Sequence, residues 1–295
     1  MYVVAGVSGH TGSIVASTLL AEGRDTRVYA RDERVADVWR ECGAEVAIGS
    51  LDDAYALARA FRGAQGAYLL LPPSLVSRGD NAHRTAGYVH AIESSGLPHV
   101  VFLSSWGAQH ANGTGLITWL HDAEVALSSS PAHVTFVRAG YFMENIASSL
   151  YDLENGSYPT FYRPDLALPM VAARDIGATA ARELLRPRGH RTVLELSGPR
   201  EYSQSDVAAE LTRMTGRAIH VRSQPIDTMV PVLESTGMSR AVAGLYRELT
   251  HATNMGHVAF EGSPNTTRLR GETDLRTVVG ALLDDRRRSR QATGA

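Results

Sequence analysis

The amino-acid sequence predicts an α/β protein with a doubly wound parallel sheet and a smaller C-terminal lobe. Strand-like and helix-like segments alternate five times with short connections, which is typical of such sheets. The first strand-like segment is a continuous apolar run, as expected for a strand that is buried on both faces. A glycine-rich turn then joins this strand to the first helix.

Three glycines, spaced three apart, follow the first strand at positions 6, 9 and 12. Gly6 would allow a tight turn, Gly9 would let the backbone approach a pyrophosphate, and Gly12 would let the helix pack closely on the strand. The start of the helix would offer free N–H groups and its positive dipole end to the phosphates. Such a turn is more often only a turn, but the strand before it and the helix after it favour a dinucleotide site. The predicted site residues are Gly6, Ser8, Gly9, His10, Thr11 and Gly12.

The second predicted strand, over residues 27–30, ends at Arg31 and Asp32, about 20 residues after the glycine turn. In dinucleotide-binding folds this position meets the 2′ position of the adenosine ribose. An acidic residue there favours NAD, whereas an arginine can accept the 2′-phosphate of NADP. Because Arg31 directly follows the strand, we interpret it as the phosphate ligand; the alternative is an ordinary solvated arginine. NADP(H) is therefore the predicted cofactor, with NAD(H) as the second choice.

A third strand is predicted over residues 45–48 and a fourth over 67–71, where Pro72 stops it. Ligands of open parallel sheets bind outside the carboxyl ends of the strands. Leu70, Leu71 and Pro72 are therefore predicted to contact the cofactor.

The fifth and sixth predicted strands, over residues 100–103 and 134–138, lead into polar and aromatic residues. The candidate catalytic donors to a developing oxyanion are Ser104, Ser105, His121 and Tyr141. Ser104 is also a candidate cofactor contact, although serines at a strand end are commonly turn formers, and a helix histidine is more often a bystander. The candidate substrate contacts are Trp106, Tyr141, Phe142 and Asn145, with Phe142 equally suited to the core.

Composition restricts the chemistry. The formal net charge of −2 disfavours a nucleic acid or an anionic membrane as partner, and no apolar run approaches the length of a membrane span. The single cysteine, Cys42, rules out an internal disulfide and fits a reducing cytosol, so we expect a cytoplasmic protein. We also expect a small-molecule substrate and no bound metal. All 29 Lys+Arg residues are arginine, which excludes a Schiff-base lysine and the Tyr-x-x-x-Lys pair of many short-chain dehydrogenases.

In the second half, a helix over 175–185 and a strand over 193–196 are expected to return to the main sheet. Ser203 and Asp206 have the spacing of a capping box that opens a helix to about residue 215. We expect a dinucleotide-binding domain over residues 1–155, a substrate lobe over 156–283 and a flexible tail over 284–295. The sequence does not predict the oligomeric state.

Four motifs together resemble the NmrA-like branch of the atypical short-chain dehydrogenases: Gly-Val-Ser-Gly-His-Thr-Gly at 6–12, Tyr-Ala-Arg-Asp at 29–32, Phe-Leu-Ser-Ser-Trp-Gly-Ala at 102–108 and Val-Arg-Ala-Gly-Tyr-Phe-Met-Glu-Asn at 137–145. The resemblance extends to about residue 280. It implies a Rossmann domain with a small C-terminal substrate lobe, NAD(P) binding, and either reductase activity or cofactor sensing. The chain departs from the family pattern at Leu120, where reductases of the family often carry lysine, and at Ser50, where many members have aspartate.

Two functions of different classes follow from the residues and the resemblance. The first is an NAD(P)H-dependent oxidoreductase that transfers hydride to a small activated acceptor of the quinone, enone or iminium type, since such acceptors need less protonation by the enzyme. A related biosynthetic step, such as an isomerisation, would use the same pocket. The alternative is a regulatory protein that binds NAD(P) and changes its affinity for a partner without turnover.

Overall fold

A computed structural model describes residues 1–72, 77–186 and 192–293 of the chain. Its central sheet has eight strands, all paired in parallel, in the order β10-β8-β6-β5-β4-β1-β2-β3. These strands are β1 (Tyr2–Ala5), β2 (Thr26–Ala30), β3 (Glu45–Ile48), β4 (Gly66–Leu70), β5 (His99–Ser105), β6 (His133–Ala139), β8 (Thr192–Ser197) and β10 (Thr266–Arg270). The doubly wound parallel sheet expected from the sequence is therefore confirmed.

Helices cover both faces of this sheet. The helices are α1 (His10–Ala21), α2 (Glu33–Glu41), α3 (Ala54–Phe61), α4 (Arg78–Ser95), α5 (Ile117–Ser128), α6 (Ala173–Leu185), α7 (Gln204–Thr215), α8 (Met229–Ser235), α9 (Arg240–Asn254) and α10 (Leu275–Thr293). One core packs α1, α2 and α6 against one face, and a second core packs α3, α4 and α5 against the other. Strand β1 lies between β2 and β4, so the strand order reverses there, which is where doubly wound sheets bind nucleotides.

Several helix ends follow from local sequence signals. Asp32 and Asp53 each cap a helix by accepting a backbone N–H, from Arg34 in α2 and from Ala56 in α3. The capping box predicted at residues 203–206 is present at the start of α7. These short-range bonds satisfy N–H groups that have no partner within their helices.

The C-terminal lobe packs around a third core. It contains the parallel pair β7 (Ser157–Thr160) and β9 (His220–Ser223), the 3₁₀ helices Met143–Asn155 and Ile226–Thr228, and helices α7 to α10. Strand β8 returns to the main sheet, as the sequence predicted, and pairs there with β6; β10 extends the same sheet, which was not predicted. The main sheet therefore takes strands from both halves of the chain.

The end of the chain differs from the expected flexible tail. Helix α10 continues to residue 293, through most of the segment that was expected to be frayed. Arg286 donates a hydrogen bond to the carbonyl of Leu150, and Arg290 pairs with Glu154, so the helix is fastened to the 3₁₀ helix Met143–Asn155. Within the described part of the chain, no helix combines the length and the apolar character needed to cross a membrane.

Candidate active site

The turn between β1 and α1 has the geometry that its glycines predicted. Gly6 has a φ of +69°, a left-handed conformation that L side chains rarely adopt. A Cβ on Gly12 would lie 2.3 Å from the carbonyl oxygen of Gly6, so the close packing of helix on strand requires glycine there. At Gly9 a Cβ would meet only that same oxygen, at 3.4 Å. Gly9 therefore borders open space, and only a ligand would need the absence of its side chain.

The N-terminus of α1 is available to an anion. Gly9 is the N-cap residue, no described side chain caps the helix, and its first turn contains no acidic residue. Ser8, Gly9 and His10 are exposed at this end, whereas Thr11 is buried and accepts a hydrogen bond from the Tyr68 hydroxyl at 2.9 Å. Free N–H groups and the positive end of the helix dipole fit a pyrophosphate.

A cavity of about 350 Å³ adjoins this turn at the ends of β2, β3 and β4. It brings together five of the residues predicted to bind the cofactor: Gly6, Ser8, Arg31, Leu70 and Pro72. The neighbouring Leu71 packs instead against the core beneath α3 and α4. The sequence did not predict that Tyr29, Ser50 and Arg84 also line this cavity. Its position beyond the glycine turn suits the adenosine end of a dinucleotide, and we refer to it as the adenosine cavity.

The charges beside this cavity favour a phosphate. The Asp32 carboxylate accepts the N–H of Arg34 at 2.8 Å and pairs with the Arg34 guanidinium at 3.1 Å; these hydrogen bonds lower the pKa of Asp32. Arg31 is exposed, and no described residue forms a hydrogen bond or ion pair with it. Arg84 is held on the cavity wall by two hydrogen bonds to Asp52, at 2.8 and 3.2 Å. The arginine predicted as the phosphate ligand therefore has its donors free.

A larger cavity, of about 730 Å³, lies between the end of β6 and the C-terminal lobe. Two of the predicted substrate residues, Tyr141 and Asn145, line it. Its aromatic lining residues are Tyr141, Tyr151, Tyr158, Phe161, Tyr162 and Tyr246. Met229, Val232, Leu233 and Met238 from α8 and the loop after it complete an apolar wall. Such a cavity suits a flat aromatic ligand.

Tyr141 is the candidate donor that this cavity contains. It follows β6 through Gly140, where a Cβ would collide with the carbonyl oxygen of Pro169. Its ring meets that of Tyr162 edge to face, with centroids 5.4 Å apart. Burial raises the pKa of the Tyr141 hydroxyl well above its ordinary value, and that hydroxyl donates to no other described residue. Tyr141 therefore presents a protonated donor to the cavity.

Glu144 connects this cavity to the glycine turn. Both of its carboxylate oxygens accept the N–H of Ala173 at the start of α6, at 2.9 and 3.0 Å. Burial raises the pKa of Glu144, while the bond from Ala173 and the nearby His10 act in the opposite direction. His10, predicted from the glycine turn, is thus within electrostatic reach of the cavity wall.

Ser104 lies elsewhere. It is buried, and its hydroxyl donates to the Glu124 carboxylate at 2.5 Å. That carboxylate is also held by Arg138 through bonds of 2.7 and 3.0 Å, and Arg138 pairs with Glu261 at 2.9 Å. Ser104 lines neither the adenosine cavity nor the tyrosine-lined cavity. In this structure the Ser104 hydroxyl is therefore directed to a buried ion pair and to neither cavity.

The remaining candidates are dispersed. His121 bonds through Nδ1 to the carbonyl of Ala108 at 2.9 Å and lines a separate polar cavity with Glu124. Trp106 lines a fourth cavity and packs on Phe260, with ring centroids 6.4 Å apart. Phe142 packs against the core beneath α1 and α6. Ser105 is half-buried at the end of β5 and lines none of these cavities. Only Tyr141 and Asn145 share the large cavity.

Comparison with known proteins identifies the family of this chain and several relatives with the same fold. The family model described as the NmrA-like family matches residues 2–276. The chain is 26% identical over 251 residues to an NAD(P)H azoreductase from Xenophilus azovorans, covering 84% of this chain and 86% of that protein. An NADPH-dependent quinone oxidoreductase from Escherichia coli, solved with NADPH, has a TM-score of 0.83 at 22% identity, over 96% of this chain and 100% of that chain. A triphenylmethane reductase from Citrobacter sp., solved with NADP(H), has a TM-score of 0.79 at 17% identity, over 95% of this chain and 99% of that chain.

Proposed function

The chain belongs to the NmrA-like family, and from this premise we propose that it is an NAD(P)H-dependent reductase of a small, activated conjugated acceptor such as a quinone. One observation carries the proposal: the uncapped N-terminus of α1 and the tyrosine-lined cavity lie along the same carboxyl edge of the sheet. A dinucleotide bound across that edge would extend from one towards the other.

NADPH is the proposed cofactor, with NADH as a weaker substitute. The glycine turn fits the pyrophosphate and Arg31 has free donors beside the adenosine cavity. The names of the relatives agree with this choice, since one is an NAD(P)H azoreductase and another was solved with NADPH. When bound, the nicotinamide supplies the hydride.

The chain's own part in the reaction is to hold the acceptor and to stabilise charge. The aromatic and apolar side chains of the cavity would cover the faces of a bound acceptor, and shielding from water strengthens the hydrogen bonds made to it. Tyr141 donates its hydroxyl hydrogen to the acceptor oxygen on which negative charge develops. Because burial raises the pKa of Tyr141, this residue keeps its proton and acts as a hydrogen-bond donor rather than as an acid.

This division of roles favours an activated acceptor. A simple ketone becomes a strongly basic alkoxide and must be protonated as it forms, whereas a reduced quinone is a stable anion that takes its proton later from water. Three relatives are named as an azoreductase, a quinone oxidoreductase and a triphenylmethane reductase, and these names all refer to conjugated acceptors.

The test is a pair of titrations followed by turnover. NADPH and NADH are titrated into the protein, and a panel of quinones, enones and iminium dyes is then added while the loss of reduced nicotinamide is followed. We expect tighter binding of NADPH and oxidation that depends on a quinone. Binding without turnover of any acceptor would replace this proposal with the NAD(P)-sensing alternative, and failure to bind either cofactor would refute both.

A further inference from the structure

The large cavity contains a buried amide whose hydrogen-bonding capacity is only half used. Gln204 has 1% of its surface exposed and lines this cavity. Its Oε1 accepts a hydrogen bond from the Tyr158 hydroxyl at 2.8 Å. Its Nε2 is buried without a hydrogen-bond partner among the described residues. Two N–H donors on one side chain are therefore unpaired at the wall of a cavity that is lined mainly by aromatic and apolar side chains.

The fold gives this amide no structural task that would account for the unpaired donors. Gln204 is the first residue of α7, but Ser203 and Asp206 already cap that helix by accepting each other's backbone N–H groups. Buried donors without partners are rare in folded proteins, because they have lost their bonds to water and gained nothing in return. A ligand atom that accepts a hydrogen bond would complete the coordination of Nε2.

The charge of the cavity indicates what kind of acceptor atom fits. Among its described lining residues there is no arginine and no histidine, and Glu144 is the single charged side chain. An anionic group would enter a cavity that holds a carboxylate and whose described lining offers no counter-charge, which is unfavourable. A neutral carbonyl oxygen can accept from Nε2 without any counter-charge.

We propose that Gln204 determines the specificity for the acceptor: its Nε2 donates a hydrogen bond to a neutral carbonyl oxygen, and the cavity excludes acceptors that carry an acid group. The inference rests on the proposed function for its identification of the cavity as the acceptor site. The ligand class is an uncharged aromatic or quinonoid carbonyl compound. The five tyrosines and Phe161 would contact its ring.

Three probes distinguish the contribution of the carbonyl oxygen to binding from the contributions of the ring and of a charge. Duroquinone is a neutral quinone whose ring carbons are all substituted, so it does not add to the exposed thiol of Cys42. Durene has the same methylated ring without the carbonyl oxygens. The third probe is duroquinone with one methyl group replaced by propionate. Their affinities for the NADP⁺-loaded protein are measured by calorimetry, which needs no turnover.

We expect Gln204→Met to weaken duroquinone binding about tenfold and to leave durene binding unchanged, because only the quinone accepts from the amide. In the unsubstituted protein, the propionate quinone should bind at least about tenfold more weakly than duroquinone. The matched control is Gln65→Met, at an exposed position immediately before β4, which should bind all three probes as the unsubstituted protein does.

Gln204→Met leaves the Tyr158 hydroxyl without its acceptor, so a second variant guards against loss of folding. The double variant Tyr158→Phe/Gln204→Met removes both partners, which stability tolerates better than removing one. The inference would be overturned if Gln204→Met changed the affinities for duroquinone and durene equally, or changed neither. It would also be overturned if the unsubstituted protein bound the propionate quinone as tightly as duroquinone, or did not bind duroquinone at all. Selective binding without any oxidation of NADPH would support the inference and count against the proposed reductase activity alone.

Discussion

Replacing Arg31 by alanine should separate the two cofactors. Arg31 follows β2 at the edge of the adenosine cavity, and no described residue pairs with it. The adjacent carboxylate of Asp32, which would repel a phosphate, is held by the N–H and the guanidinium of Arg34. In Arg31→Ala the 2′-phosphate of NADPH would lose a direct charge-assisted partner, whereas NADH has no group at that position.

The size of the effect follows from the exposure of the site. A hydrogen bond to a charged group contributes about 1.5–3 kcal/mol, and the lower end applies here because Arg31 is exposed and screened by solvent and salt. A loss of about 1.5 kcal/mol corresponds to roughly tenfold weaker NADPH binding. NADH binding should change by less than about twofold, and the NADPH effect should shrink as the salt concentration rises.

The assay is a fluorescence titration of both cofactors with Arg31→Ala, Arg34→Ala and Arg40→Ala. Arg40 is the matched control because Glu33 and Asp37 already bind its guanidinium on α2. Equal losses of NADPH and NADH affinity in Arg31→Ala would refute the assignment. A selective loss of NADPH affinity in Arg34→Ala, with no loss in Arg31→Ala, would assign the contact with the 2′-phosphate to Arg34.

Four further substitutions test other parts of the molecule. Gly9→Val should abolish binding of both cofactors in a protein that still unfolds cooperatively, whereas Gly12→Val should fail to fold; cofactor binding by folded Gly9→Val would contradict the role of the turn. Tyr141→Phe should lower kcat/KM about 10- to 100-fold at unchanged NADPH affinity. The reaction rate of the wild-type protein should not fall through ionisation of Tyr141 up to about pH 10, because burial raises the pKa of this phenol. A fall in rate at lower pH that is absent from Tyr141→Phe would contradict this prediction. Arg138→Met should cost about 3–5 kcal/mol of unfolding free energy in denaturant melts, because Glu124 is left buried and unpaired, and an unchanged melt would show the pair to be dispensable.

The cofactor end of the site could be predicted because its residues are close in the sequence. Gly6, Gly9 and Gly12 act within a single turn, and Arg31 is fixed by the end of the next strand. Their roles depend on backbone geometry, which glycine spacing reveals directly. Arg84 was not predicted because it reaches the adenosine cavity from α4, held there by Asp52 from a distant loop.

The acceptor end could not be predicted in the same way. Its wall takes Tyr141, Tyr158, Gln204 and Tyr246 from four separate elements, and no short motif joins them. Their convergence depends on how the C-terminal lobe packs on the sheet. The half-used amide of Gln204 becomes visible only when the bond from Tyr158 is seen, because a glutamine at the start of a helix is otherwise unremarkable in a sequence.

For Ser104, the direction of the side chain could have been predicted from the sequence. Side chains alternate between the two faces of a strand, so Ser104 shares its face with the buried Phe102. That face is covered by α5, which brings Glu124 to the Ser104 hydroxyl. Position at the carboxyl end of β5 predicted proximity to the cofactor but did not predict the direction of the side chain.

The absence of lysine and the burial of Tyr141 lead to the same reaction class. In a Tyr-Lys pair the lysine charge lowers the pKa of the phenol and lets it give up its proton. Here the chain contains no lysine, and Leu120, where reductases of the family often carry one, packs as a partly buried apolar residue between two of the cores. No described residue that lines the cavity is a cation, and burial raises the pKa of Tyr141, so the phenol can donate a hydrogen bond but holds its proton. We infer that this site suits acceptors that are stable as anions once reduced, a property that quinones have and simple ketones lack.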